Sequence, residues 1–176
     1  MNRKIEVDPV IEALETFPYG LYIIGSRGRD NVNGMMADWL MQVSFQPRLV
    51  AVSLERNSTT LANLRESGVF TVNVLAADDR ALAAKFAQPR RASKIKGRSE
   101  AASAVIYDKL RGVGHQPGAL TDCPVLSDAL AYLECEVDQL IDVGDHTLAV
   151  GRVLAGAVRR EGEPLTQRIL GWSYAG

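Results

Sequence analysis

Four consecutive polar residues, Asn57-Ser58-Thr59-Thr60, offer the clearest chemistry in this sequence of 176 residues, and we call them the hydroxyl cluster. They follow an apolar run at residues 49–54 and open a helix predicted over residues 58–67, which Gly68 ends. The first turn of a helix carries unpaired N–H groups and the positive end of the helix dipole, which suit a phosphate. Capping requires one hydroxyl and not four, so we interpret the cluster as a phosphate site.

His146 is the second candidate for chemistry. It is one of two histidines, and it follows Asp145 in the turn of a hairpin predicted from residues 132–142 and 147–158. Taken alone, a histidine at such a turn is typical of an exposed surface residue. The alternative is a functional imidazole, which can position a substrate or move a proton near neutral pH.

A basic segment follows the middle of the chain. Five basic residues lie close together with no acid between them: Arg90, Arg91, Lys94, Lys96 and Arg98. A solvated, flexible run is the ordinary interpretation of such a segment. The alternative is a loop that meets the phosphate groups of a bound dinucleotide or of an extended cofactor.

Charge and composition exclude several classes of protein. With 20 Lys+Arg against 21 Asp+Glu, the formal net charge is −1, so no nucleic-acid or membrane partner is expected. No apolar run approaches the roughly 20 residues that span a bilayer, and the first residues lack a signal-peptide core, which predicts a cytoplasmic protein. Cys123 and Cys135 are too few for a disulfide framework or a metal site, and we expect both in the core.

The length is typical of one domain, over residues 1–176, and the periodicity predicts a mainly β protein. Predicted strands cover residues 21–26, 39–45, 49–54, 69–75, 132–142 and 147–158. Predicted helices begin at Asp8, at the hydroxyl cluster and at Asp78. Residues 33–37 are predicted as a small-residue turn and residues 90–128 as an irregular stretch. A majority of strands over helices favours an antiparallel barrel. The sequence contains no GxGxxG and no Walker A motif, which argues against a Rossmann or P-loop nucleotide site.

Six ordered segments resemble one known family, the flavin reductase-like, FMN-binding split-barrel proteins. The segments are NGMMADW at 33–39, QVSFQP at 42–47, VSL at 52–54, NSTTL at 57–61, SGVFTVNVL at 67–75 and GDHTLAVGRV at 144–153. Each segment is weak alone, whereas six in order at plausible spacing form a specific signal that covers most of the chain.

The resemblance implies a Greek-key, antiparallel split β-barrel that forms a homodimer, with flavin bound near the dimer interface. The residues expected beside the flavin ring and phosphate, largely through their backbone groups, are Met36, Ala37, Asp38 and Trp39. Those expected near the flavin ring or ribityl chain are Ser44, Ser53 and Leu54. The resemblance also implies that the hydroxyl cluster, Asn57, Ser58, Thr59 and Thr60, holds the phosphate, and that His146 lies near the nicotinamide of NAD(P)H.

Asp38 departs from the pattern of many relatives, which carry Ser or Asn at this position. A carboxylate beside a phosphate repels it, so we expect Asp38 to point away or to pair with an arginine. We expect Trp39 to belong partly to the core and partly to the cofactor wall. Trp172 and Tyr174 are expected to pack at the tail or at the dimer contact.

By this resemblance the chain is an NAD(P)H-dependent flavin reductase that transfers a hydride to flavin N5 and passes electrons to free flavin, a monooxygenase or another acceptor. FMN is the expected flavin, with FAD as the alternative, and NADH and NADPH are both candidate donors. Such a reaction requires no protein nucleophile, because the cofactors carry it. The alternatives are a non-enzymatic FMN-binding electron carrier with a small redox-protein partner and, less favoured, a regulatory or haem-related split-barrel protein.

Overall fold

The protein folds around an antiparallel β-sheet, and the computed structural model describes residues 8–90 and 105–172. Its strands are β1 (Tyr22–Arg27), β2 (Val32–Ala37), β3 (Leu40–Ser44), β4 (Leu49–Glu55), β5 (Val69–Val74), β6 (His115–Pro117), β7 (Pro124–Leu126), β8 (Ala131–Val143) and β9 (His146–Val158). Its helices are α1 (Pro9–Glu15), α2 (Thr59–Ser67), α3 (Arg80–Ala87) and α4 (Gln167–Leu170). None of the helices in these residues is long and apolar enough to cross a membrane.

One sheet contains most of the strands, in the order β2-β1-β5-β8-β9-β4-β3. Its pairings are antiparallel throughout, and three of them join strands that are neighbours in sequence: β1–β2, β3–β4 and β8–β9. Strands β6 and β7 form a separate pair. The mainly β, antiparallel architecture predicted from the sequence is confirmed.

Most predicted elements are confirmed with small shifts at their ends. Helix α1 begins after Asp8, whose side-chain oxygen accepts a hydrogen bond from the Val10 N–H at 2.9 Å. The predicted long hairpin is β8–β9, and Gly144 in its turn adopts a φ of 54°, which glycine tolerates best. Cys123 and Cys135 are buried and free.

The prediction of a turn at residues 33–37 is wrong, because this segment belongs to β2 and pairs with β1 along its length. Asn33 and Gly34 are disfavoured in strands, which hid the element in the sequence, and tertiary pairing overrides their local preference. Gly34 also lies so close to the Phe86 ring that a Cβ atom would collide with it. Strand β2 therefore forms because it pairs with β1 and packs against Phe86, and not because its own residues favour a strand.

Two further predictions are corrected. The helix expected to begin at Asp78 begins after Asp79 instead, and Asp78 pairs with Arg160 at 3.0 Å. The stretch 90–128, predicted as irregular, contains β6 and β7 within its described part. Several residues considered in the sequence lie outside the described residues: Arg91, Lys94, Lys96, Arg98 and Tyr174.

Strand β4 has one face in the hydrophobic core and a polar face on the opposite side. Val52 and Leu54 are buried in the main core, with at most 1% of their surface exposed. Because side chains alternate along a strand, Ser53 and Glu55 point to the opposite face. The positions of these two polar residues are thus set by the packing of their apolar neighbours.

An apolar face remains exposed at the edge of the sheet. Met41 and Val43 belong to the edge strand β3, whose register with β4 shifts between Gln42 and Ser44, and Phe45 follows just beyond the strand. Their exposed fractions are 65%, 48% and 88%. Helix α1 also buries none of its residues.

Candidate functional site

A cleft of about 550 Å³ opens between β2, the end of β4, the start of α2 and the segment after α3. This volume lies in the range of sites that bind small molecules and cofactors. Ten of the twelve site residues predicted from the sequence line the cleft: Met36, Ala37, Asp38, Trp39, Ser53, Asn57, Ser58, Thr59, Thr60 and His146. The fold therefore brings together segments that are far apart in the chain.

The other two predicted residues, Ser44 and Leu54, are not among the described residues that line the cleft. Ser44 ends β3 and lies opposite Leu49 on β4. The side chain of Leu54 packs inside the main core. Their contacts with a flavin stay predictions, and a contact by Leu54 would involve its backbone.

The hydroxyl cluster lies where α2 begins. Ser58 is the N-cap residue, and its Oγ accepts a hydrogen bond from the Leu61 N–H at 3.1 Å. Thr60 is almost fully buried, and its Oγ1 accepts a hydrogen bond from Asn33 Nδ2 at 3.2 Å. One hydroxyl thus caps the helix and another ties it to β2. The first turn of α2 presents its dipole and its polar side chains to the cleft, which suits an anion.

Two cations, Arg90 and Lys109, also line the cleft. Arg90 Nη1 donates a hydrogen bond to Asn31 Oδ1 at 3.2 Å. Lys109 Nζ is buried and donates to the carbonyl oxygens of Phe86, at 3.0 Å, and Gln88, at 3.1 Å. Burial, with a smaller contribution from Arg90, lowers the pKa of Lys109 to about 8. An anion bound nearby would favour the charged ammonium and raise this pKa.

Strand β2 sets the length of the cleft. Asn33, near its start, contacts Thr60, whereas Asp38 directly follows its last residue. At about 3.3 Å per residue, five residues of strand separate these positions by about 16 Å. We name the two parts of the cleft the Thr60 end and the Asp38 end. Arg90 belongs to the Thr60 end, because Asn31, its partner, comes two residues before Asn33.

The Asp38 end is closed by α4. Asp38 was expected to point away from a flavin phosphate or to pair with an arginine. It lines the cleft and accepts a hydrogen bond from Gln167 Nε2, so the pairing with an arginine is wrong, and its orientation relative to a phosphate stays a prediction. Burial raises the pKa of Asp38, against the opposite effect of hydrogen bonds from its own N–H, from the Trp39 N–H and from Gln167. The carboxylate is therefore only partly solvated and has a neutral amide as its partner.

Trp39 and His146 form a wall next to Asp38. Their ring centroids are 5.2 Å apart, with the ring planes inclined by 45°. Strand pairing places His146 opposite Glu55, and the Ser53 N–H donates to the Trp39 carbonyl at 3.0 Å. His146 Nδ1 lies 2.7 Å from Asp145 Oδ1, and this hydrogen bond lowers the pKa of Asp145. The wall offers an aromatic surface and an oriented imidazole to a planar ligand.

Sequence reasoning missed several residues that line the cleft: Asn33, Lys109, Gln167 and Trp172. Trp172 was expected to pack at the tail or the dimer contact, yet it lines the cleft, and its N–H donates to the Gln167 carbonyl at 3.1 Å. Asn33 lay in the segment predicted as a turn. Gln167 and Trp172 carry no local signal, because their place depends on the return of the C-terminal segment to the sheet.

The fold and the cleft define a class of protein: a mainly β protein with one cleft whose two ends differ in chemistry. The Thr60 end supplies hydroxyl groups, a helix dipole and cations, and the Asp38 end supplies aromatic and imidazole groups. Within residues 8–90 and 105–172, no group of three or more His, Cys, Asp or Glu side chains is placed to hold a metal ion.

Residues 14–168 match the family model for the flavin reductase like domain, and the chain belongs to this family. It is 31% identical to the flavin reductase (NADH) of Kitasatospora aureofaciens, over 89% of this chain and 75% of that protein. It is 33% identical to the high molecular weight rubredoxin of Moorella thermoacetica, over 88% of this chain but only 62% of that protein's length. A solved NADH:FAD oxidoreductase of Streptomyces globisporus, in complex with NAD and FAD fragments, matches with a TM-score of 0.75 at 25% identity, over 93% of this chain and 92% of that one. The predicted family and split-barrel fold are confirmed.

Proposed function

We propose that this chain is an NAD(P)H-dependent flavin reductase that binds FMN in the cleft. The observation that carries the proposal is the order of groups along β2: a phosphate-type site at the Thr60 end and an aromatic wall with an imidazole at the Asp38 end. A flavin has the same order of parts, with a phosphate at one end of the ribityl chain and a flat ring at the other. When bound, the flavin supplies the redox chemistry by accepting a hydride from the nicotinamide at N5.

The phosphate is proposed to lie at the Thr60 end. The hydroxyl cluster and the first turn of α2 supply hydrogen-bond donors, and Arg90 and Lys109 supply positive charge. These groups form one compact anion site, which favours FMN over FAD as the ligand. FAD stays the alternative, and the basic segment that continues from Arg90 would then be a candidate for its additional phosphate.

His146 is proposed to position the nicotinamide against the flavin ring. Its ring is held between Trp39 and Asp145, so the imidazole has a fixed orientation at the cleft wall. Hydride transfer demands that two rings be stacked at close distance with water excluded, and an oriented side chain contributes to this arrangement. We assign His146 a positioning role and no obligatory proton transfer.

We also propose that the protein is a homodimer. The exposed apolar residues of β3 and of the turn after it, Met41, Val43 and Phe45, lie at a sheet edge, where large apolar side chains usually mark a protein contact. Phe45→Glu should therefore yield a smaller species in sedimentation velocity. Val158→Glu, which changes an apolar residue of similar exposure on β9, is the control. An unchanged mass for Phe45→Glu would contradict an interface on this face.

The physiological acceptor is proposed to be free flavin or a monooxygenase that uses reduced flavin, in a cytoplasmic location. A second candidate function is a non-enzymatic electron carrier, because one relative is named a high molecular weight rubredoxin. In that case the cleft would hold FMN tightly and exchange electrons with a small redox protein instead of a nicotinamide.

An anaerobic absorption experiment tests the proposal. Purified protein is mixed with FMN or FAD, and the flavin band is followed after the addition of NADH and then NADPH. Rapid bleaching supports the reductase and identifies the preferred donor and flavin. A bound flavin that stays oxidised with both donors indicates the electron carrier, and a protein that binds neither flavin contradicts the proposed site.

A further inference from the structure

Asp38 is held in the cleft by a partner that does not neutralise it. Its carboxylate accepts a hydrogen bond from Gln167 Nε2, and the Gln167 backbone N–H in turn donates to the Tyr19 carbonyl at 3.1 Å. The Gln167 side chain is 7% exposed, so the amide is fixed by the fold. An amide donates a hydrogen bond but carries no charge, and it therefore orients the carboxylate while leaving its negative charge in place.

The charged groups that line the cleft are separated along its length. They are Asp38, Glu55, Arg90 and Lys109, and His146 is a further titratable side chain in the lining. Arg90 lies at the Thr60 end, and its charge acts on Lys109, which is held nearby by carbonyl groups at the C-terminal end of α3. Glu55 lies opposite His146 in the strand register, and its carbonyl accepts a hydrogen bond from the Ser58 N–H at 3.0 Å, so it lies between the two ends. The two positive side chains thus lie where the phosphate is proposed, and Asp38 lies beyond the other end of β2.

Flavin reduction changes the charge of the ring and not that of the phosphate. The neutral dihydronicotinamide gives up a hydride, one hydrogen nucleus with two electrons, and becomes a cation. The neutral oxidised flavin takes the same hydride and becomes an anion, so the step balances without a further reactant. A fixed negative charge near the ring lowers the affinity for the reduced flavin relative to the oxidised flavin.

On the basis of the proposed function, we propose that the Asp38–Gln167 pair makes the cleft discriminate between the two redox states of its flavin, so that reduced FMN is bound less tightly than it would be without this charge. The pair is a specificity determinant and takes no part in hydride transfer itself. Its effect is to favour release of the reduced flavin to an acceptor. Burial raises the pKa of Asp38, which agrees with a partly desolvated carboxylate whose charge acts more strongly than it would in water.

The test measures the affinity for oxidised FMN and for reduced FMN, under anaerobic conditions, in the wild-type protein and in Asp38→Asn. Asparagine keeps the shape and an acceptor oxygen while it removes the charge. Affinity for reduced FMN should rise about tenfold in the variant, while affinity for oxidised FMN changes by less than about threefold. The midpoint potential of bound FMN should then rise by about 30 mV, the equivalent of a tenfold change for a two-electron couple.

The matched control is Asp128→Asn, which removes an exposed acid that is not part of the cleft lining, and its ratio of affinities should equal that of the wild type. Should Asp38→Asn fail to fold, Asp38→Ser also removes the charge and takes its place. Equal changes in both affinities would overturn the discrimination and leave the proposed flavin reductase intact. A wild-type protein that binds neither form of FMN would overturn both.

Discussion

The two ends of the cleft are built in opposite ways. The Thr60 end is formed largely by consecutive residues at one helix start, strengthened by Arg90 and Lys109. The Asp38 end depends on a pair, Asp38 and Gln167, that lies 129 positions apart in the chain. A phosphate keeps its charge through the reaction, whereas the charge of a flavin ring changes. With the flavin placed as proposed, its constant charge lies against mainly local structure and its changing charge lies against a tertiary contact.

The largest expected effect comes from a negative charge at the Thr60 end. Thr59→Glu should weaken FMN binding about 100-fold, because the new carboxylate repels the phosphate at short range. An acid in the first helical turn favours the helix, so α2 should persist, and Thr59 is less buried than Thr60, which makes it the better position. Fluorescence titration with FMN measures the affinity.

Two controls distinguish an effect of the new charge at Thr59 from a loss of local structure. Thr59→Gln is similar in size to the glutamate variant but neutral, and it should bind FMN nearly as the wild type does. Riboflavin lacks the phosphate, so its affinity should be the same in all three proteins. A loss for riboflavin as large as that for FMN would contradict the assignment of the phosphate to this end.

The second effect tests the wall beside Asp38. His146→Ala should slow anaerobic flavin reduction by NAD(P)H about 30-fold and change FMN affinity by less than about threefold, because its proposed role is to position the nicotinamide. Stopped-flow absorbance gives the rate, and equilibrium titration gives the affinity. Asp145→Asn, which weakens the contact at Nδ1 but keeps the imidazole, should have a smaller effect. Equal losses of rate and affinity in His146→Ala would indicate a structural residue.

A third prediction concerns the pH dependence of the Thr60 end. The pKa of Lys109 is about 8 without ligand, and a bound phosphate raises it, so FMN affinity should begin to fall as the pH rises above about 8. Lys109→Met should bind FMN about tenfold more weakly at neutral pH and lose this pH dependence. Lys109→Arg stays charged and should bind FMN with little change between pH 7 and 9. The same pH profile in wild type and Lys109→Met would exclude Lys109 as its cause.

The smallest effect is expected on stability at the Asp38 end. The pKa of Asp38 is higher in the folded protein than in the unfolded chain, so ionisation of this carboxyl group destabilises the fold. The contribution of Asp38 to the free energy of unfolding is therefore favourable at acid pH and is lost as the pH rises through the folded pKa. Asp38→Asn should raise the melting temperature of the unliganded protein at pH 7 by about 1–2 °C, a modest value because the carboxylate is partly solvated. Calorimetry at pH 4 should show a smaller difference, and a variant that is less stable at pH 7 would contradict this account.

The Thr60 end could be predicted from the sequence because most of the residues that form it follow one another in the chain. A run of hydroxyl and amide residues, a strand before it and a glycine after it are all visible within residues 49–68. The hairpin β8–β9 was visible for the same reason, since strand periodicity and turn chemistry act over short distances. The prediction of this hairpin also gave the position of His146 at its turn.

The Asp38 end could not be predicted in this way. Strand β2 contains residues with weak strand preference, and it forms because β1 is available to pair with it. Gln167 reaches Asp38 only because the chain returns past Tyr19 before α4. Lys109 lies in a segment without periodicity, and its position at the cleft depends on carbonyl groups at the C-terminal end of α3. Such contacts carry no signature in the sequence near either partner.

The alternation along β4 has a consequence for mutational robustness. Val52 and Leu54 belong to the core, while Ser53 and Glu55, their immediate neighbours, line the cleft. A core substitution that lets this strand shift by a fraction of an ångström must displace the side chains that line the cleft by a similar distance. A variant with such a core substitution can therefore still fold and yet bind a cofactor less tightly. Core positions that no cofactor touches can thus change the binding affinity of the cleft.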